Sequence, residues 1–183
     1  VIVPAWEKYQ AELGDQIITI DPGIAFGTGS HPTTKNVLVL MENHSFNHRK
    51  VADIGAGSGI LTKGALLLGA KDVLVIDIDD KALEVSKENL KEYQNIRFLK
   101  NNLLENCEES FDIILANIVA DAILALGPQM KKGLEKHGLL LVSGIIEARW
   151  DEVQVGLENQ GLKLLEKILE EGWVAATFQK VEQ

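Results

Sequence analysis

One glycine-rich turn constrains the fold of this chain more than any other feature. A short apolar run at residues 51–54 leads into the sequence GAGSG at positions 55–59, and an apolar helical pattern follows at residues 60–68. Glycines permit a tight turn and let a ligand approach the backbone without meeting a Cβ atom. A strand that turns into a helix in this way is typical of doubly wound α/β domains, which bind ligands beyond the carboxyl ends of their strands.

The rest of the core alternates between strand and helix patterns. The predicted strands lie at residues 51–54, 73–76, 96–99, 111–116, 139–142, 162–169 and 173–181, and the predicted helices at 60–68, 81–93, 120–134 and 148–159. Helices between successive strands imply parallel pairing. The last two strands leave no room for a helix, so we expect an antiparallel hairpin at the sheet edge. The predicted fold is α/β and Rossmann-like, with a seven-stranded mostly parallel sheet, an antiparallel last strand and helices on both faces.

The length of 183 residues suits a single domain. We expect residues 1–50 to form an N-terminal extension with a glycine-rich loop at 21–34 and a helix at 33–42, for which Pro32 is a suitable start. Residues 51–183 form the predicted core. Within it, Gly127-Pro128 should break or kink the helix at 120–134.

Charge and cysteine content restrict the partners and the compartment. A net charge of −9 argues against a nucleic-acid clamp, because phosphate contacts need clustered Lys and Arg. The acidity is compatible with a basic protein substrate, although many soluble enzymes are simply acidic. The one cysteine, Cys107, permits no internal disulfide and favours a reducing, cytoplasmic location. No apolar run is long enough to span a membrane, and nothing indicates an oligomeric state.

The spacing of the glycine turn departs from the dinucleotide fingerprint. Its pattern is G-x-G-x-G, and Ile60 occupies the place of the last glycine in G-x-G-x-x-G. Asp53 stands two residues before the first glycine. This variant argues against a nicotinamide-dependent oxidoreductase, which is kept as an alternative together with a plain tight turn.

Polar side chains follow the second and fourth predicted strands. Asp77 ends the second strand, where a carboxylate can accept hydrogen bonds from both hydroxyls of a ribose while Ile78 lies against an adenine. We favour Asp79 and Asp80 as helix N-caps. Asn117 ends the fourth strand, where its amide can hold a cofactor or a substrate amine. A helix N-cap is the alternative for Asn117.

Other residues that often mark sites have simpler interpretations. His44 and His48 share an i, i+4 spacing but have no further ligand-type partners, so we expect no metal site. Trp150 and Trp173 are expected to be packing residues. His31 either tethers the N-terminal loop or takes part in the chemistry.

These motifs together resemble a known family. The segments DIGAGSG at 53–59 and IDID at 76–79 resemble the first two motifs of class I S-adenosylmethionine-dependent methyltransferases. The loop DPGIAFGTGSHPTT at 21–34 is similar to the signature of the PrmA family, whose members methylate a ribosomal protein of the large subunit. The segments ANI at 116–118 and SGI at 143–145 match further motifs of that family.

The resemblance implies S-adenosylmethionine as the cofactor, and as the acceptor an amine of a ribosomal protein, either a lysine side chain or the N-terminal amine. It implies that Thr34, Gly55, Asp77 and Asn117 contact the cofactor and that a loop at residues 26–29 closes over it. The motifs and the resemblance together predict a cofactor site made of Phe26, Gly27, Thr28, Thr34, Asp53, Gly55, Gly57, Gly59, Asp77, Ile78 and Asn117.

The chain also departs from the family pattern. Ser30 stands where the family more often has Thr, Ala56 where Cys is common, and Gly172 interrupts the usual Glu-Glu-Trp. The resemblance implies an additional N-terminal domain for substrate recognition in the family, and we expect this domain to be absent from the 183 residues of this sequence. We therefore expect either the catalytic half of a longer protein or a stand-alone relative with another substrate.

Methyl transfer from a sulfonium mainly requires alignment of the nucleophile, the methyl carbon and the sulfur. An amine acceptor must be neutral, and a lysine with an ordinary pKa near 10.4 must first lose a proton. Asn117 is the predicted catalytic residue, because its side-chain oxygen can orient the amine or the cofactor. The same motifs are also compatible with a methyltransferase for a small molecule or another protein, and with a domain that binds the cofactor without catalysis.

Overall fold

The computed structural model describes residues 1–4, 6–20 and 31–181. The strands are β1 (Ile2–Pro4), β2 (Ile18–Ile20), β3 (Lys50–Ile54), β4 (Asp72–Asp77), β5 (Ile96–Lys100), β6 (Phe111–Asn117), β7 (Leu134–Ile146), β8 (Leu162–Glu170) and β9 (Trp173–Lys180). The helices are α1 (Pro32–Glu42), α2 (Ile60–Leu67), α3 (Asp80–Asn89), α4 (Ala120–Leu126), α5 (Met130–Gly133) and α6 (Trp150–Glu158).

Seven strands form one sheet in the order β5-β4-β3-β6-β7-β9-β8. The pairs from β5 across to β7 are parallel, and β9 runs antiparallel to both of its neighbours. This confirms the predicted fold class and the terminal hairpin. The hairpin inserts its second strand into the sheet, so that β8 forms the edge. β1 and β2 form a separate two-stranded parallel sheet that the sequence patterns did not reveal.

Helices cover both faces of the large sheet and bury two apolar clusters. One cluster joins α4 and α6 to the sheet, with Ile123, Val153 and Leu157 packed among buried strand residues such as Phe178. The other joins α1, α2 and α3 to the opposite face through residues such as Leu40. Strands buried on both faces need apolar side chains at successive positions, which explains the continuous apolar runs of the sequence.

Turn and capping residues in the sequence explain where several helices begin and end. A 3₁₀ turn at Gly127–Gln129 separates α4 from α5, which confirms the predicted break at Gly127-Pro128. Asp79 caps α3 by accepting a hydrogen bond from the Lys81 N–H group, as predicted. β7 is much longer than the predicted strand at 139–142, because it begins directly after α5 and tolerates register shifts against both neighbours.

The order of the strands reverses between β3 and β6. β3 connects through α2 to β4 on one side, while β6 lies on its other side and connects through α4 to β7. The two connecting helices leave on opposite faces of the sheet, which opens a crevice at the carboxyl ends of β3 and β6. The glycine turn and Asn117 both lie at this crevice.

Candidate functional site

A cavity of about 400 Å³ lies at the carboxyl ends of β3, β4 and β6. It is lined by Gly55, Gly57, Asp77, Ile78, Asp79, Lys81, Ala82, Val85, Asn117 and Ile118. We call it the first cavity. It brings together five of the residues predicted for the cofactor site, from three different strand ends.

Two backbone N–H groups hold the Asp77 carboxylate in place. The N–H of Gly57 donates to one oxygen and the N–H of Asp79 donates to the other, each at 3.0 Å. A carboxylate has about four acceptor positions, so Asp77 keeps capacity for two more donors. Ile78 follows with 65% of its surface exposed, which makes it an apolar platform at the edge of the cavity.

Gly55 lies where the turn after β3 meets the end of β6. Its φ is +68°, and a Cβ atom there would overlap Cγ2 of Ile118. Its own N–H donates to the carbonyl of Ile76 at 2.8 Å, which fixes the turn against β4. A glycine is therefore required here both by the backbone conformation and by the space.

Asp53 and Gly59 lie behind the glycine turn and do not line the first cavity. Asp53 is buried, and one of its oxygens accepts hydrogen bonds from the N–H and the hydroxyl of Thr62, at 3.0 and 2.6 Å. Burial raises the pKa of Asp53 to about 6, against the opposing effect of those bonds. A Cβ atom on Gly59 would lie 2.9 Å from Leu90, so this glycine lets α2 approach α3.

Asn117 has an incompletely used amide. Its Nδ2 points at the hydroxyl oxygens of Thr33 and Thr34, at 3.5 and 3.4 Å, which are long hydrogen bonds. Its Oδ1 is buried and has no partner among the described residues. The N-cap of α4 is Val119, so the alternative of Asn117 as a helix cap is wrong. Thr34 is fully buried and lies beside the amide of Asn117, outside the cavity lining.

A second cavity, of about 270 Å³, lies on the other side of Asn117. Its lining is mainly apolar and consists of His31, Thr33, Asn117, Ile118, Val119, Gly144 and Trp173. Asn117 and Ile118 line both cavities. An unsatisfied polar atom thus stands at the boundary of two adjoining spaces.

His31 and Trp173 form one wall of the second cavity. Their rings meet edge to face, with centroids 5.2 Å apart. His31 also caps α1, because its Nδ1 accepts a hydrogen bond from the Thr33 N–H at 3.3 Å. Trp150 is buried against Phe178 as predicted, whereas Trp173 is half-buried, packs against His31 and lines the second cavity.

Sequence reasoning did not identify the second cavity. Val119 and Gly144 also belong to it, and they come from the segment after β6 and from β7. The segment ANI at 116–118, already noted for Asn117, was the available signal for its neighbours. The predicted residues Phe26, Gly27 and Thr28 lie outside the described residues.

In the described ranges, no three His, Cys, Asp or Glu side chains group as metal ligands. Within the same ranges, no helix has the length and apolar character needed to cross a membrane.

The fold and the crevice define a class I methyltransferase domain. A crystal structure of the N-methyltransferase NodS from Bradyrhizobium japonicum, in complex with S-adenosyl-L-homocysteine, superposes with a TM-score of 0.70 at 20% identity, over 84% of this chain and 90% of that chain. A crystal structure of a ribosomal protein L11 methylase from Lactobacillus delbrueckii subsp. bulgaricus superposes with a TM-score of 0.92 at 35% identity, over 99% of this chain and 94% of that chain.

The chain belongs to the ribosomal protein L11 methyltransferase (PrmA) family, whose model matches residues 1–181. A curated ribosomal protein L11 methyltransferase from Fusobacterium nucleatum is 44% identical over 158 residues, which cover 84% of this chain and 51% of that protein. One from Thermoanaerobacter pseudethanolicus is 44% identical over 155 residues, which cover 84% of this chain and 50% of that protein. The resemblance inferred from the motifs is thereby confirmed. The chain spans about half the length of these curated relatives.

Proposed function

We propose that this chain is an S-adenosylmethionine-dependent methyltransferase domain that transfers methyl groups to amines of the large-subunit ribosomal protein L11. The observation that carries the proposal is the pair of adjoining cavities with Asn117 and Ile118 in their shared wall. One cavity suits a nucleoside cofactor and the other suits an alkyl amine. Methyl transfer needs two such spaces in contact, because the acceptor must approach the methyl carbon from the side opposite the sulfur.

The residues of the first cavity fit S-adenosylmethionine. The two spare acceptor positions of Asp77 match the two hydroxyls of a ribose, and Ile78 offers an exposed apolar face to the adenine. The missing side chain of Gly55 leaves room for close approach of the ligand. The sulfonium of the bound cofactor supplies a methyl group that is already activated for transfer. We include Phe26, Gly27 and Thr28 in the site on the strength of the sequence motif.

Three of the predicted residues do not line the first cavity but contact the residues that surround it, namely Thr34, Asp53 and Gly59. Asp53 holds the first turn of α2 through Thr62, and Gly59 lets that helix pack on α3. Thr34 presents its hydroxyl to the amide of Asn117. We therefore propose that these three position the cofactor-binding groups.

Asn117 acts on the acceptor amine. Its unpartnered Oδ1 can accept a hydrogen bond from the amine N–H and so fix the direction of the lone pair. The apolar lining of the second cavity disfavours the charged ammonium form, which lowers the pKa of an amine that enters it. The proton leaves to solvent before the amine is enclosed.

The family supports a protein acceptor. Its curated members are named for methylation of ribosomal protein L11, and the net charge of −9 suits a basic substrate. Ribosomal protein as substrate also supports the cytoplasmic location expected from the single cysteine. The NodS structure adds an instance of the same fold with S-adenosyl-L-homocysteine bound.

Calorimetric titration with S-adenosylmethionine, and separately with NAD, tests the cofactor. We expect binding of S-adenosylmethionine and a loss of affinity of about 100-fold in Asp77→Asn, because two hydrogen bonds to a charged acceptor are weakened. Asp72→Asn is the matched control, since Asp72 lies at the amino end of the same strand, away from the cavity, and pairs with Arg97. Binding of NAD instead, or equal affinity in both variants, contradicts the proposal.

A further inference from the structure

The second cavity opens between exposed apolar side chains. Val119 lines it and is 67% exposed, and Ile146 is 46% exposed. Ile146 pairs in register with Trp173, which forms the cavity wall. We call Val119, Ile146 and Trp173 the acceptor rim. Exposed apolar groups around a cavity mouth are typical of a surface that a larger partner covers.

Carboxylates dominate the surface beside the acceptor rim. Glu147 and Glu171 are both exposed, and both lie on the same side of the Ile146–Trp173 pair, one directly after β7 and the other in the turn before β9. The Glu147 N–H donates to the carbonyl of Gly172 at 2.8 Å, which holds the two segments together. Among the described residues neither carboxylate forms a direct ion pair, although Lys35, which pairs with Glu170, also interacts electrostatically with Glu171.

The neighbouring cations are already neutralised. Lys35 pairs with Glu170 at 2.7 Å. Arg149 pairs with both Asp121 and Glu152, at 2.8 and 2.6 Å. The mouth of the second cavity therefore keeps a surplus of negative charge, and its complement is a positively charged partner.

We infer that the acceptor rim docks an extended polypeptide segment with basic side chains next to the acceptor amine. The inference rests on the proposed function, since it assumes that the amine enters the second cavity. A chain that crosses the mouth covers Val119 and Ile146, and its residues on one side of the amine come within reach of Glu147 and Glu171. A small-molecule amine fits inside the cavity and leaves the rim uncovered.

Peptides with one acceptor lysine test the inference. Three peptides of equal length carry two arginines, two alanines or two glutamates next to that lysine, and methyl transfer from S-adenosylmethionine is followed by mass spectrometry. We expect kcat/KM to be about tenfold higher for the arginine peptide than for the glutamate peptide at low salt, because each exposed ion pair contributes a few-fold. The preference should shrink at high salt through screening.

A charge swap locates the effect. Glu147→Lys with Glu171→Lys should reverse the preference between the arginine and glutamate peptides. Glu108→Lys adds the same kind of charge at an exposed site near the start of β6, at the opposite sheet edge, and should keep the original preference. The ratio of two peptides within one variant does not depend on its stability. Equal ratios in all proteins overturn the docking surface alone, whereas no methylation of any peptide by cofactor-bound chain overturns the proposed function and the surface with it.

Discussion

The two cavities are built from different kinds of wall. In the first cavity the polar groups are fixed before any ligand arrives, since backbone N–H groups hold both oxygens of Asp77 at 3.0 Å. In the second cavity the wall is largely apolar, and its amide, Asn117, makes two long hydrogen bonds and leaves Oδ1 unpartnered. Under the proposed function, the first cavity is organised in advance for the cofactor, while the unpartnered oxygen of Asn117 at the boundary between the cavities stays available for the substrate.

The largest expected effect comes from adding a side chain to the glycine turn at residue 55. Gly55→Ala should reduce cofactor affinity at least 100-fold, because the new Cβ atom overlaps Ile118 and the residue has a φ of +68°. Calorimetry measures the affinity. Gly14→Ala is the control, since Gly14 also has a positive φ, of +98°, but has open space around its Cβ position. Equal affinity loss in the two variants contradicts a role for the contact with Ile118.

Removing the shared amide should affect the reaction more than the binding. Asn117→Ala should lower kcat about 100-fold, the usual effect of losing one oriented polar group at a reacting centre. The Kd of the cofactor should change less than tenfold, because Asp77 and the glycine turn remain. Asn101→Ala is a matched control, since Asn101 follows β5 at the same sheet edge and donates to the carbonyl of Glu105. A cofactor Kd that changes as much as kcat makes Asn117 a simple binding residue.

The contribution of the buried Asp53 to the free energy of unfolding should depend on pH. The folded state raises the pKa of Asp53 from 3.8 to about 6, so it binds the proton more tightly than the unfolded chain does. The stabilisation is therefore complete below about pH 4 and is lost as pH rises through about 6, roughly 3 kcal/mol in all. Free energies of unfolding from urea titrations at several pH values should show this slope in the wild type and not in Asp53→Asn. The same pH dependence of the free energy of unfolding in both proteins would contradict the raised pKa of Asp53.

Substitution of the two tryptophans should separate an effect on the stability of the core from an effect on the second cavity. Trp150→Ala should cost about 3–5 kcal/mol of stability, because Trp150 is buried in the core. Trp173→Ala should cost less, because Trp173 is only half-buried, but it should raise the KM of the amine acceptor about tenfold. Thermal unfolding and steady-state kinetics separate the two effects. A KM change in the Trp150 variant without one in the Trp173 variant reverses the assignment.

The grouping of residues around the first cavity was largely predictable from the sequence, because these residues follow strands directly. The glycine turn and Asp77 are local signals, and parallel strands bring their carboxyl ends to the same sheet edge. Asp53 was a partial exception. Its proximity to the glycines suggested a contact with the cofactor, whereas burial turns its carboxylate towards Thr62.

The second cavity could not be predicted in the same way. His31 and Trp173 lie far apart in sequence and meet only because β9 inserts beside β7 while α1 packs on the same sheet. The exposure of Val119 and Ile146 likewise depends on which helices cover β6 and β7. Such contacts depend on long-range topology, and a single sequence contains no local pattern for them.

Transfer of a labelled methyl group tests the proposed function most directly. Purified ribosomal protein L11 is incubated with this chain and labelled S-adenosylmethionine, in parallel with the Asn117→Ala variant, and the modified residues are identified by mass spectrometry. We expect label on amines of the ribosomal protein with the wild type and about 100-fold slower labelling with the variant. Tight cofactor binding without any transfer to an amine, or equal transfer by the two proteins, contradicts it.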